Sequence, residues 1–308
     1  MPKSAVLLFA AALASAQVTI TQKGDRVQVE INGKPFTELV TGGTDAMKPY
    51  LWPIRAASGT EVTRHFPMEK VEGESNDHQH QRGIWFGHES TNGLDFWNNE
   101  ATYKTPNRGR TVLDKIVSAK SGKLAGTLAV NFIGEDMQGN KILEEHRVMT
   151  FSSNPTLRII DFDITLVAIA KVKFGDAKDG TFGIRLSDAL REDKGSGTIT
   201  NAEGEQHEKA VWGKPSNWVD YSGKINGEAL GVTIFDHPMN SRRARWHVRA
   251  YGLFAANPFG LSVFTNDKTE DGSVTIEPGQ LHFRYRVLIH PGDVHSTDLA
   301  KMWDEFRR

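Results

Sequence analysis

Residues 77–97, DHQHQRGIWFGHESTNGLDFW, gather three histidines, an arginine, two tryptophans and three acids into one short span. His78, His80 and His88 are the histidines; Arg82, Trp85, Trp97, Asp77 and Asp95 stand among them. An imidazole titrates near neutral pH, so it can move a proton or bind a metal. A tryptophan beside polar donors is a half-apolar platform suited to a sugar ring. On an extended segment residues two apart share a face, which sets His78 and His80 side by side. They would then serve as a proton-transfer pair or as two metal ligands. A divalent metal needs further ligands, which His88, Asp77, Glu89 or Asp95 could supply. The bland alternative is a hydrogen-bonded loop without chemistry.

Three other stretches add candidates. Lys48-Pro49-Tyr50-Leu51-Trp52-Pro53-Ile54-Arg55 and Thr63-Arg64-His65-Phe66-Pro67-Met68 offer arginine forks on a proline-stiffened chain. Arg185 lies in an otherwise apolar strand and needs a partner or a ligand, because a buried charge is costly. Trp212, Lys214 and Trp218 would wall a pocket, or equally cover a core edge. Asp236 beside His237 is a candidate carboxylate–imidazole pair, or a simple turn. There is no G-x-S-x-G elbow, Walker loop, H-E-x-x-H helix or strand-borne G-x-G-x-x-G.

The elements that must position these residues are strands. VTITQKGDRVQVEING (18–33) alternates around a Gly-Asp turn and predicts a hairpin. Further strands are predicted at 111–122, 123–134, 146–153, 156–169, 229–237, 261–267, 273–279 and 281–292. Only 296–308 has helical spacing; Ser296 or Thr297 is its expected cap, and Leu299, Met302, Trp303 and Phe306 make its apolar stripe. The fold class is therefore all-β, a large antiparallel sandwich with a C-terminal helix, read as one domain over 17–308. The strand-poor stretches 41–110 and 186–225 hold most of the unusual residues, as functional loops do.

Bulk properties narrow the classes. Residues 1–16, with Lys3, an apolar run and Ala14-Ser15-Ala16, read as a secretory signal peptide. A periplasmic or secreted protein is expected, without membrane insertion after cleavage. There is no cysteine, so no disulfide supports the fold. A formal net charge of −1 argues against nucleic-acid binding.

Taken together, PYLWPIR (49–55), TRHFPM (63–68), DHQHQRGIWFGH (77–88), NGLDFW (92–97), GTFGIRLSD (180–188), VWGKPSNWVDYSG (211–223), FDHPMN (235–240) and WHVRAYGLFAANPFG (246–260) resemble an exported bacterial family labelled methane oxygenase PmoA-like, a domain of unknown function. Gln79 and Gln81 replace the proline and a histidine of its common D-H-P-H-H-R-G form. Methane oxidation is not expected, since no run is long enough to span a bilayer. More distantly, Pro49, Pro53, Arg55 and the His78–His88 segment are similar in order to aldose epimerases of the galactose-mutarotase type. That resemblance implies a β-supersandwich, a histidine acid and a carboxylate base at an anomeric centre.

The expected function is a carbohydrate-active enzyme (epimerase, lyase or hydrolase) acting on a sugar or glycoside. His78, His80 or His88 would be the acid or base, and Arg55, Arg82 and Arg185 would orient hydroxyls or an oxyanion. Trp85, Trp97, Trp212 and Trp218 would line the cleft, with Asp95, Lys214, Asp236 and His237 as further binding residues. No cofactor is expected, a divalent metal being the exception. The alternatives are a non-catalytic sugar-binding module and a metal-dependent enzyme using His78 and His80.

Overall fold

The computed structural model describes residues 17–42 and 45–308. The expected signal peptide, residues 1–16, lies outside the described residues. In chain order the strands are β1 (Val18–Lys23), β2 (Arg26–Ile31), β3 (Lys34–Val40), β4 (Tyr50–Leu51), β5 (Ile84–His88), β6 (Gly109–Lys120), β7 (Ala125–Asp136), β8 (Lys141–Ser153) and β9 (Arg158–Ala168). They continue as β10 (Val172–Phe174), β11 (Gly180–Arg185), β12 (Thr198–Asn201), β13 (Trp218–Ile225), β14 (Glu228–Asp236), β15 (Arg245–Val248), β16 (Leu253–Asn257), β17 (Val274–Ile276) and β18 (Gly279–Pro291). Three short helices are α1 (Glu208–Val211), α2 (Leu261–Thr265) and α3 (Leu299–Phe306).

Two eight-stranded sheets carry the architecture. The first runs β1-β2-β3-β4-β5-β11-β16-β15 and the second β12-β13-β14-β18-β9-β8-β7-β6, with β10 and β17 a small separate pair. Every strand pairing is antiparallel. The long strands of the second sheet alternate buried and half-exposed residues, as in RIIDFDITLVA of β9, so each buries one face. The inner faces meet through aromatic rings: Phe182 of β11 stacks on Tyr285 of β18 at 4.6 Å and meets Phe162 of β9 edge-on at 4.8 Å. This is the expected large antiparallel sandwich.

The hairpin at 18–33 forms as β1 and β2, and Asn32-Gly33, both at positive φ, turn the chain into β3. Two expected strands are corrected. Residues 261–267 form helix α2, ended by Asn266 in the left-handed conformation, with Phe264 buried and Val263 exposed. An alternating reading of five residues could not separate these two faces of a helix from those of a strand. Of 273–279, Val274–Ile276 form a strand that pairs with β10, and Gly279 already belongs to β18. The C-terminal helix starts later than expected: the Asp298 carboxylate caps it by accepting from the Lys301 N–H at 3.0 Å, while the Ser296 hydroxyl donates to Asp293. Its stripe covers Trp218, Phe235 and Leu288 on the outer face of the second sheet. No helix among the described residues is long and apolar enough to cross a membrane.

The outer face of the first sheet is where the unusual residues collect. Tyr50, Trp85, Gly183, Ala255 and His247 follow one another across β4, β5, β11, β16 and β15 in a single register row. Gly183 leaves the space that the two indoles fill. A Cβ there would stand 2.7 Å from Trp97 Cη2 and 2.9 Å from Trp85 Cζ2. Gly183→Ala is expected to destabilise the fold by about 1–3 kcal/mol through overpacking, read as a lowered midpoint in chemical denaturation. An unchanged midpoint would mean that the indoles move aside freely.

Candidate functional site

The segment between β4 and β5 folds back over this outer face and is tied down by buried arginines. Arg64 and Arg185 are both fully buried. Arg185 follows Gly183 by two residues on β11 and so points to the same face. Both guanidinium groups converge on one oxygen: Arg64 Nη1 donates to Asp77 Oδ1 at 2.8 Å and Arg185 Nη2 donates to it at 2.9 Å. Arg64 also donates to the His78 carbonyl at 3.0 Å, and Arg185 to Gln81 Oε1 at 2.5 Å. Asp188 holds the start of the segment by accepting from the Ser75 N–H and hydroxyl, both at 2.7 Å. Burial by itself would raise the Asp77 carboxyl, but Arg185, His78 and Arg64 outweigh it and hold it at about 2.

His78 sits on this anchor. Its backbone adopts φ 44°, a left-handed conformation that costs a non-glycine residue energy and that the surrounding contacts must hold. Its ring stacks on Tyr251 at 4.8 Å and 12°, and Nδ1 lies 3.2 Å from Asp77 Oδ1. The side chain is 40% exposed, so ligand can reach it. With Nδ1 on a carboxylate, Nε2 is the nitrogen free to exchange a proton. His80 meets His78 edge-on at 5.8 Å but is buried, with Nδ1 3.1 Å from the Tyr103 hydroxyl. Burial, helped by Lys48 and His78, pushes its imidazole down to about 2. His80 is therefore a neutral hydrogen-bonding group rather than the proton carrier.

The floor beneath is a second buried polar network. Lys48 is fully buried and donates to the Trp97 carbonyl at 2.6 Å and to Asn99 Oδ1 at 2.7 Å; burial lowers its amine to about 7. Arg82 makes a two-point contact with Glu100, Nε to Oε1 at 2.9 Å and Nη2 to Oε2 at 2.6 Å.

Of the expected site residues, His78, His80, Arg82 and Arg185 come together here. Trp85 and Trp97 lie directly below, fully buried and 4.8 Å apart, as packing for the floor and not as walls of an open cleft. Asp95 accepts from the Trp97 and Asn98 N–H groups and shapes their turn. The remaining candidates are elsewhere. His88 points into the core between the sheets, donates Nε2 to the Gly175 carbonyl at 2.8 Å and packs on Phe259. It lies one pleat out of phase with Trp85, so the strand turns it to the opposite face. Arg55 pairs with Glu61, and Lys214 pairs with Glu205 on the surface. Trp218 lies under α3 on the second sheet, so the four tryptophans do not line one cleft. Asp236 and His237 are not a pair: Asp236 accepts from Arg243 and Asn240, while His237 faces Phe306 of α3. Trp212 packs on Phe264.

Tyr103, Glu100 and Asp188 were not singled out as site residues. A buried Arg82 demands an acid, but no local pattern says which one. Tyr103 lies 23 residues from His80 in irregular chain, without a motif. Among the described residues no group of three or more His, Asp or Glu side chains is arranged to hold a metal ion.

A β-sandwich that presents an anchored carboxylate–imidazole pair on the outer face of one sheet is the class these features define. The chain belongs to a family of unknown function, DUF6807, whose model matches residues 26–304. That match does not carry the methane-oxygenase label. No curated protein matches the chain. Among solved structures it is similar to a galactose mutarotase-like protein from Lactobacillus casei, at 8% identity and TM-score 0.38, over 89% of this chain and 100% of that one. It is also similar to an α-galactosidase from Geobacillus stearothermophilus in complex with raffinose, at 10% identity and TM-score 0.37, over 90% of this chain and 40% of that one. A third is the Slr1438 protein from Synechocystis, at 8% identity and TM-score 0.35, over 93% of this chain and 100% of that one.

Three of the buried histidines, His80, His88 and His247, lower stability in acid, while His290, also buried, is raised because its bond to Asp220 outweighs burial, and acts the other way. Burial, as the first cause, lowers His88 and His247 to about 4 as well as His80 to about 2. A histidine whose folded value lies below its unfolded value of about 6.5 binds its proton more readily when unfolded, so stability falls as pH drops below that value. Each of these groups is expected to remove about 2 kcal/mol near pH 5. Denaturant titrations should show a clear loss between about pH 6.5 and pH 5. A flat profile across that window would contradict neutral burial of the three rings.

Proposed function

We propose that this protein is a carbohydrate-active enzyme whose proton-transfer group is His78. The observation that supports this best is the His78–Asp77 pair: an accessible imidazole oriented by a carboxylate that two buried arginines hold ionised. A carboxylate on Nδ1 fixes the tautomer and supports the ring when it takes up a proton, the arrangement that general acid–base chemistry needs. His80, kept neutral, supplies a hydrogen bond to the reacting group or its neighbour. Tyr251, stacked on His78, and Tyr103, edge-on to His80, are the aromatic rings beside the pair against which a sugar ring would pack.

The reaction moves a proton at a sugar carbon or oxygen. Epimerisation, elimination and hydrolysis all share that step. The signal-like leader supports action outside the cytoplasm.

A panel of sugars and glycosides, including oxidised 3-keto sugars, should be run with wild type, His78→Ala and His80→Ala. Turnover is expected in the wild type. It should fall about 10²–10⁴-fold in His78→Ala, as for loss of a general acid or base. His80→Ala should lose less, by about 10–10²-fold, as for one removed hydrogen bond to a developing charge. Full turnover in His78→Ala would exclude the assignment. Binding without turnover, unchanged by either substitution, would make the protein a sugar-binding module.

A further inference from the structure

Two strands across from Gly183 on the same outer face lies a pair of side chains the His78 centre does not use. His247 of β15 is 2% exposed, and its Nδ1 has no hydrogen-bond partner. Trp212 stands against it, ring centroids 6.4 Å apart and nearly perpendicular, and the indole Nε1–H is buried without a partner as well. Phe264 of α2 packs edge-on against both rings and fixes them. Asp179 Oδ1 is 3.6 Å from His247 Nδ1, too far for a direct hydrogen bond. A buried polar atom left unpaired costs about 1–3 kcal/mol, so two of them side by side call for an occupant.

We infer that His247, Trp212 and Asp179 form a second contact point for the ligand, and that it takes a vicinal diol. The indole can only donate and the carboxylate can only accept. The neutral imidazole nitrogen does one or the other, depending on its tautomer. A hydroxyl does both. One hydroxyl accepts from Trp212 and donates to His247 or Asp179, and its neighbour meets the remaining group. The nearby cations are already paired, Lys178 with Asp179 at 2.8 Å and Arg249 with Glu208 at 3.1 Å, so none is left over for an anionic ligand. An ammonium leaves the indole donor unserved, and an apolar group leaves all three unserved.

The two places are joined by Tyr251. Its ring stacks on His78, and its hydroxyl lies in the field of Asp179 and of Arg249, which follows His247 by two residues. The diol point would hold the far hydroxyls of a sugar while His78 faces the reacting carbon or oxygen. The inference rests on the sugar reading of the His78 site for its ligand class.

The test is heteronuclear NMR on the full chain. Methyl β-glucopyranoside, methyl β-galactopyranoside and myo-inositol would be the probes. The Trp212 indole N–H would be assigned through Trp212→Phe, which removes the donor and keeps an aromatic ring in place. The His78 ring would be followed in the same samples. The expected result is that at least one probe shifts both signals together, and that Trp212→Phe weakens its affinity about three- to tenfold, the worth of one neutral hydrogen bond. If His78 shifts while Trp212 does not, water alone serves the orphaned groups and the diol site is overturned, with the first reading intact. If Trp212 shifts while His78 does not, the diol site stands and the His78 reading falls. If neither shifts with any probe, both are overturned.

Discussion

One carboxylate oxygen organises the outer face of the first sheet. Asp77 Oδ1 faces Arg64, Arg185 and His78 within 2.8, 2.9 and 3.2 Å. The two guanidinium groups are buried, and the anion offsets the cost of keeping both charges there. The anion is half-exposed, yet the two cations keep it ionised through any ordinary pH. Each group therefore depends on the others. Removing the carboxylate would leave two buried positive charges facing each other. Next to Asp77 in sequence, His78 takes a left-handed backbone, its carbonyl accepts from Arg64, and its ring is half-exposed.

The sheet supplies the rigid base for this contact. Its inner face is committed to the sandwich core through Phe86, Phe182 and Phe254. Its outer face has small residues, Gly183 and Ala255, at the centre of the row, and bulky or charged residues at both ends. Trp85 and Trp97 fill the space above Gly183, and the Lys48 and Arg82–Glu100 contacts lock the overlying segment to them. Asp77 and His78 lie on the irregular segment between β4 and β5, and it is the buried contact to Arg185 of β11 that ties this segment to the sheet, as precise proton transfer requires.

The fold class was legible in the sequence because the long strands alternate strictly. Every second residue is buried throughout β9, from Leu143 to Phe151 in β8 and from Leu281 to Val287 in β18, so period two survived in plain view. Short elements were not legible: α2 and β17 each depend on contacts made far along the chain. The 77–97 segment reads as the richest in chemistry, but its residues were assigned to one cleft on proximity in sequence. The pleat separates them, sending Trp85 outward and His88 inward. Arg185 announced itself as a buried charge needing a partner, and its partner proved to be Asp77. Tyr103 carried no local pattern, and Asp188 was visible only as the last residue of the GTFGIRLSD stretch. His247 was visible only as a letter in a conspicuous stretch, since its neighbours Trp212 and Asp179 come from other elements.

The central claim is that Asp77 fixes His78 with its proton on Nδ1 and its reactive nitrogen outward. Nitrogen NMR of the neutral His78 ring reads this directly, comparing wild type with Asp77→Asn. The account predicts a single Nδ1-protonated form in the wild type and loss of that preference in the variant. A ring in the opposite tautomer, or in an even mixture unaffected by the substitution, would contradict it.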